Sequence, residues 1–366
     1  MPKIEIADDL AGLDAALENL PNNPAVFAIW PREGDPYLSR TAMLRRRLLR
    51  LLKEREKPSR LLNLRHTARR IEYWPAGSAL ESSATLYEQA RRLFPETYLD
   101  QLKLRMPPYV KIVLGNEFPR SHITTHLTGA GGLYFGPFRS RASAERFEAQ
   151  FLDLFQMRRC QEDLVPSPGH PGCIYGEMAM CLRPCQQVVG PGEYAHEVGR
   201  VVEFLQTGGR SLLEAIAHSR DRLSEQMQFE DAARQHKRYE KVQEVLKLGD
   251  DLARDVDRLH GVALTRSTTP GAVELWFVRA GDCYPPQRFS FEMPEGKPVS
   301  LDQRLRETLA ALAPRKPSLR RRQEYLALLA RWYYSSWCDG EWIPFASFDD
   351  VPYRKLVHAI SRVAHL

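Results

Sequence analysis

Four cysteines, Cys160, Cys173, Cys181 and Cys185, fall within 26 residues of one another, and the chain's two other cysteines, Cys283 and Cys338, are remote. Between the first two runs QEDLVPSPGHPG, with Pro166, Pro168, Gly169, Pro171 and Gly172, and the last pair is CLRPC. Proline fixes φ and removes a backbone donor, so this stretch is built of turns. It has too little apolar surface to hold itself together, and metal–thiolate bonds would supply much of its folding free energy. Thiolates are the soft ligands of zinc and of iron–sulfur clusters. The intervals of twelve, seven and three residues depart from the short C-x₂-C arms of common zinc folds, which favours a 4Fe–4S cluster, with zinc as the alternative. Four buried, reduced thiols packing as small hydrophobes are the bland reading. Disulfides are disfavoured, because MPKIEIADDL does not resemble a secretion signal and the expected location is a reducing cytoplasm.

At 366 residues, 43% hydrophobic and 27% charged, the chain can bury two or more cores, and no run is long and apolar enough to span a membrane. The formal net charge is +6, but Arg40 to Arg70 holds ten Arg and two Lys against Glu54 and Glu56, an excess of +10, so the remainder is net −4. Within it Leu44, Leu48, Leu51 and Leu52 recur at helical spacing, with Arg45, Arg46, Arg47, Arg50 and Lys53 between them. This predicts a basic amphipathic helix on one face of an N-terminal module. An anionic membrane, a partner helix or plain solvent could face it. DNA is the preferred partner, since arginine suits bidentate phosphate contacts.

Asn22 to Trp30 reads as a turn feeding a short apolar strand, and Gly34-Asp35-Pro36 as a hairpin turn before Tyr37-Leu38. Strand, turn, strand and Arg-rich helix resemble the GIY-YIG nuclease domain of the UvrC family, the nuclease subunit of the bacterial excinuclease of nucleotide excision repair. The family's G-V-Y falls on Ala25-Val26-Phe27 and its Y-V-G on Tyr37-Leu38-Ser39. Pro108 to Ile112, Phe118-Pro119-Arg120 and Tyr134 to Phe138 resemble the UvrC stretches beyond that domain, in the same order. The four cysteines then stand where the family carries an iron–sulfur cluster. Met227 to Ala233 (MQFEDAA) resembles the UVR motif, a helical hairpin that contacts UvrB, which implies a UvrB-like partner for Phe229, Glu230, Ala232 and Ala233.

The hairpin is also legible in the residues themselves. Leu212, Leu213, Ile216, Leu223 and Met227 make one apolar stripe, and Ala232, His236, Tyr239, Val242 and Leu246 a second. Two such helices leave apolar surface for a partner hairpin; one long surface helix is the alternative. The expected architecture is thus α/β plus α: a GIY-YIG-like mixed α/β domain over 1–100, a four-Cys module over 101–190, a helical UVR hairpin over 191–250, and a β region with an aromatic-rich helical end over 251–366.

A GIY-YIG nuclease needs a tyrosine base, basic residues at the scissile phosphate and a glutamate holding a divalent metal. By the resemblance, the first tyrosine is replaced by Phe27 and the second kept as Tyr37. The basic positions fall on Arg40 and Arg47. A further family tyrosine falls near Leu51, and the metal-binding glutamate becomes Leu86. Losing a base and a ligand makes hydrolysis improbable, and the expected protein is a catalytically impaired accessory or regulatory factor. In the alternative it remains an endonuclease making one incision with Mg²⁺ or Mn²⁺, Glu81 or Glu88 serving as ligand. Residues 261–292 read as two or three antiparallel strands with turns at Pro270-Gly271 and Gly281-Asp282. The ribonuclease-H-like nuclease and helix–hairpin–helix elements of UvrC relatives are not expected in the remaining residues. Pro314 to Arg322 is basic, and Arg331 to Phe345 carries Trp332, Tyr333, Tyr334, Trp337 and Trp342, read as a small core rather than a base-stacking surface.

Overall fold

The computed structural model describes residues 3–6, 12–54, 62–129, 131–291, 299–313 and 318–365. Arg55, Lys57 and Arg60 of the basic stretch, and 314–317 of the second one, lie outside the described residues. The architecture is mixed α/β, with three antiparallel sheets.

The first module comprises β1 (Lys3–Glu5), α1 (Leu13–Glu18), β2 (Ala25–Pro31), β3 (Tyr37–Thr41), α2 (Leu44–Leu52), β4 (Ala68–Pro75) and α3 (Ala79–Leu93). Its sheet has the order β1-β4-β2-β3. Alternation along β2 sends Phe27 and Ile29 to one face, where the four leucines of α2 are all buried against them. On the other face Leu38 of β3 meets Tyr87 and Ala90 of α3. The helix α3 starts at Ser78, whose hydroxyl accepts the Glu81 N–H.

The second module runs from α4 (Tyr98–Leu102) through β5 (Tyr109–Val113), β6 (Ser121–Thr124), β7 (Gly132–Gly136), α5 (Arg141–Leu152), α6 (Ile174–Glu177), α7 (Pro191–Thr207), α8 (Arg210–Glu225) and α9 (Phe229–Lys247) to β8 (Arg254–Asp255). The sheet order is β6-β5-β7-β8. Phe135, Phe147, Phe151 and Phe204 stack through its core, which also takes Ile216 of α8 and Val242 of α9. The chain from 210 to 247 is therefore an antiparallel helix pair rooted in this core, and not one long helix.

The third module holds β9 (Gly261–Arg266), β10 (Ala272–Arg279), β11 (Asp282–Cys283), β12 (Gln287–Ser290), α10 (Leu301–Ala310), α11 (Leu319–Tyr333), β13 (Gly340–Pro344) and α12 (Tyr353–His365). β10 pairs with β9, which pairs with β13; β11 and β12 also bond to β10. The strands and turns expected over 261–292 are present. Trp332 is fully buried, with Tyr333, Tyr334 and Trp342 packed around it, while Trp337 is 40% exposed. One apolar cluster joins Leu80 and Ala84 of α3, Tyr109 and Tyr134 of the second sheet, and Leu326 and Trp332 of α11, so all three modules share a core.

Candidate functional site

The nuclease-like positions sit on two sides of the first sheet. Phe27 is fully buried, and its ring lies 6.1 Å from that of Tyr37. Arg47 Nη2 donates to the Tyr37 hydroxyl at 3.1 Å. This trio belongs to the α2 side. Arg40 is three residues beyond Tyr37, so strand alternation turns it to the α3 side. There its Nη1 donates to Ser83 Oγ at 2.8 Å and its guanidinium lies 5.9 Å from the Trp337 ring centre. The family resemblance put Tyr37, Arg40 and Arg47 in one site, and the sheet separates Arg40 from the other two.

Leu86 lines a cavity of about 230 Å³ with Arg40, Leu102, Leu104, Leu328 and Arg331. A metal-binding carboxylate is absent there, and leucines surround the position. Neither alternative ligand faces this cavity. Glu88 accepts Arg321 Nη2 at 2.7 Å and the Tyr325 hydroxyl at 2.5 Å, both from α11. Glu81 accepts the Gly77 N–H at 2.6 Å, and burial raises its pKa against that hydrogen bond, with the charge of Glu274 adding to the rise. A Cβ on Gly77 would meet the backbone carbonyl carbon of Ser267 at 2.5 Å, so the turn after β9 packs directly on this corner.

Sequence reasoning missed what covers the α3 side. The Glu324 carboxylate of α11, 2% exposed, accepts the hydroxyls of Tyr87 at 2.5 Å and Tyr98 at 2.7 Å and Arg320 Nε at 3.0 Å. Asp339 accepts the Ala79 N–H at the start of α3 and the Trp332 indole N–H. Nothing local in the sequence signals the pairings of Glu324 with Tyr87 and Tyr98 or of Asp339 with Ala79, which span more than 220 residues.

The basic stretch is dispersed rather than gathered on one face. Arg45, Arg46 and Arg50 are exposed on α2, and Arg45 Nη1 reaches the Glu18 carbonyl at 3.2 Å. Arg65 is buried in a two-point contact with Asp14, both bonds at 2.8 Å. Arg70 lies 4.5 Å from the Trp30 ring centre and pairs with Glu72. Among the described residues the single-face expectation fails because Arg45, Arg46 and Arg50 lie on α2, Arg65 is tied to Asp14 in the turn before β4, and Arg70 is in β4.

The cysteines share one segment. Cys160 accepts Arg158 Nη1 at 3.4 Å, Cys181 accepts the Arg183 N–H at 3.4 Å, Cys173 precedes α6, and Cys185 sits in a 3₁₀ turn. Burial pushes the Cys181 thiol up to about 11, and charge on Cys160, Cys173 and Cys185 adds to the rise. Ala179, Arg183 and Gln187 all take left-handed φ near 55°, half of the six such non-glycine residues described. The segment is thus held in a conformation its own residues disfavour. The donor set suits a thiolate-bound centre in kind. Among the described residues no three His, Cys, Asp or Glu side chains are gathered in a metal-holding arrangement.

At the tip of the helix pair, Met227 has φ 58° and is 78% exposed, and Phe229 is 65% exposed. Glu230 and Ala233 are exposed, whereas Ala232 is buried. His236 does not join the apolar stripe; it is exposed, 3.5 Å from Glu240.

With this geometry in place, comparison with known proteins defines the class. The family model described as "UvrC/Cho excinuclease, middle domain" matches residues 107–204, which cover β5 to α7. UvrABC system protein C of Lachnospira eligens is 24% identical over 290 residues, 78% of this chain and 47% of that protein. The Moorella thermoacetica protein of the same name is 26% identical over 273 residues, 74% of this chain and 44% of the relative; that of Dehalococcoides mccartyi (strain BAV1) is 25% identical over 277. The chain is thus similar to the UvrC family, through that family's middle domain and over about three quarters of its own length. It spans about half the length of the curated relatives it matches. No solved structure matches it.

Proposed function

We propose that this is a DNA-binding factor of nucleotide excision repair that does not itself cut DNA, acting in the cytoplasm beside a UvrB-like partner. One observation carries the reading: Leu86 stands among leucines where the resemblance calls for a metal ligand, while Glu81 is bonded to the Gly77 N–H just before α3 and Glu88 to Arg321 and Tyr325 of α11. Phe27, buried and without a hydroxyl, removes a proton acceptor from the α2 side. Hydrolysis of a phosphodiester by this family's chemistry needs both a base and a metal. Among the described residues no helix is long and apolar enough to cross a membrane.

The exposed Arg45, Arg46 and Arg50 supply one phosphate-binding face, and the tip around Phe229 supplies the partner contact. Cys160, Cys173, Cys181 and Cys185 would hold the 4Fe–4S cluster, or zinc; such a centre would tie the turns of this segment to α7 and supply no nuclease chemistry. The test is incubation of the protein and a UvrB-like partner with a labelled, damaged duplex in Mg²⁺ or Mn²⁺. Binding without nicking is expected. Metal-dependent nicking abolished by Glu81→Ala or Glu88→Ala would instead establish a working endonuclease.

A further inference from the structure

A second basic surface lies where the three modules meet, away from α2. The loop after α4, the turn before α5 and the end of α11 enclose an open groove of about 830 Å³. Lys103, Arg105, Arg139, Arg141 and Arg331 line it, and no carboxylate does. All five are exposed. Arg141 pairs with Glu145 and Arg139 lies 5.4 Å from the Tyr334 ring centre; Lys103, Arg105 and Arg331 have no ion pair among the described residues. The groove abuts the Leu86 cavity, because Arg331 lines both, and through it reaches Arg40.

Local geometry sets this up. Lys103 takes a left-handed φ of 47° at the end of α4, after which Leu102 and Leu104 line the inner cavity and Lys103 and Arg105 the outer groove. Burial lowers the Arg40 pKa, and the charge of Arg331 lowers it further; among the described residues Arg40 has no ion pair. Lys103, Arg105 and Arg331, without ion pairs among the described residues, sit in a concave, protein-walled channel where like charges concentrate the field and favour a polyanion.

We infer that this inter-module groove, running from Arg40 past Arg331 to Lys103, Arg105 and Arg139, is a binding track for the phosphodiester backbone of DNA. The inference extends the DNA-binding reading above by adding a second contact surface, made jointly by the linker after α4 and by α11. Its contacts are to phosphate and not to bases, because the aromatic faces nearby, Tyr334 and Trp337, are already occupied by Arg139 and Arg40.

The test is fluorescence anisotropy on the full chain with a labelled duplex and a labelled single strand, across a salt series. The variant is Arg105→Glu/Arg331→Glu, with Arg105→Gln/Arg331→Gln as a milder form whose thermal melt checks folding. Each lost phosphate contact lowers the slope of log K against log salt by about 0.9 on duplex and about 0.7 on single strand. The Gln pair is expected to lower it by about twice that and to weaken binding about tenfold at low salt, uniformly across sequences. An unchanged slope in a folded variant, while the wild type binds, overturns the groove and leaves DNA binding to α2. Failure of the wild type to bind any strand overturns the DNA reading itself. Displacement of DNA by low-millimolar inorganic phosphate would mark an isolated phosphate site and also overturn the track.

Discussion

Glu324 is the residue whose removal should most clearly loosen the third module from the first. Its carboxylate is 2% exposed and accepts two hydrogen bonds from phenols that are themselves buried, Tyr87 and Tyr98. Burial and the nearby carboxylate both raise the pKa of each phenol, so both donate as neutral hydroxyls at any ordinary pH. A hydrogen bond to a charged group contributes about 1.5–3 kcal/mol, and a buried donor left without a partner costs about 1–3 kcal/mol. The Arg320 guanidinium is 65% exposed, so its share is small. Glu324→Ala should therefore cost about 3–5 kcal/mol, the range for breaking a buried charged network from one side. Tyr87→Phe and Tyr98→Phe each remove one hydrogen bond to the charged carboxylate and should each cost about 1.5–3 kcal/mol, with Tyr87→Phe the larger because Tyr98 and Arg320 both bond Oε1 and Tyr87 bonds Oε2. Urea unfolding followed by tryptophan fluorescence measures all three, and limited proteolysis should show α11 released first in Glu324→Ala. A Glu324→Ala loss below about 1 kcal/mol would show that the latch is solvated in solution and refute the reasoning.

Neutralising Arg45, Arg46 and Arg50 together should flatten the salt dependence of DNA binding by about 0.9 per lost contact, because the exposed α2 arginines act on phosphate alone. Phe229→Ala should abolish pull-down of a UvrB-like partner while moving the unfolding midpoint little, since the ring is 65% exposed. Replacing any one of Cys160, Cys173, Cys181 or Cys185 by Ser should lower iron, sulfide or zinc content, measured on anaerobically purified protein, whereas Cys338→Ser should not; metal content unchanged in all four would remove the centre. Stability should fall as pH drops below about 6.5, because His260 accepts the Ala280 N–H through Nδ1 and burial, with Arg279, depresses its pKa. The unfolded chain then binds the proton more readily than the folded one, so acid favours unfolding, and His260→Gln should blunt the decline seen in urea midpoints.

Local patterns in the sequence were legible because periodicity and turn chemistry act over a few residues. The α2 leucines, the β9–β10 hairpin and the α8–α9 pair can be read from period and turn residues alone. The aromatic end was legible as core for Trp332, and Trp337 escaped it because it lies past the last turn of α11. What could not be read was which faces meet. Arg40 and Tyr37 are close in sequence and lie on opposite sides of a strand, a consequence of period two that matters only once both sides carry helices. The Glu324 latch and the basic groove join segments more than 180 residues apart, and single-sequence patterns carry no information on such pairings.

The replacements at the nuclease-like positions and the docking of the third module have one physical logic. A working metal site on α3 would need a carboxylate ringed by water and open to a phosphodiester; burying it beneath α11 would cost several kcal/mol of desolvation. Leucine at 86 removes that cost, and Leu328 then finds an apolar neighbour in the cavity. The carboxylates that α3 does keep, Glu81 and Glu88, are placed where the third module supplies hydrogen bonds or counter-charge. Arg40 on that side donates to Ser83, has no ion pair among the described residues, and has its pKa lowered by burial and by the charge of Arg331. Under the proposed function, a face with Leu86 in place of a metal ligand and Arg40 beside Arg331 would hold a backbone phosphate without cutting it, which joins that proposal and the groove in one arrangement. Restoring the ligand by Leu86→Glu therefore should not restore cutting: the new carboxylate would sit beside Arg40 and Arg331, neutralise them, and weaken DNA binding instead. Metal-dependent nicking by Leu86→Glu would break that link.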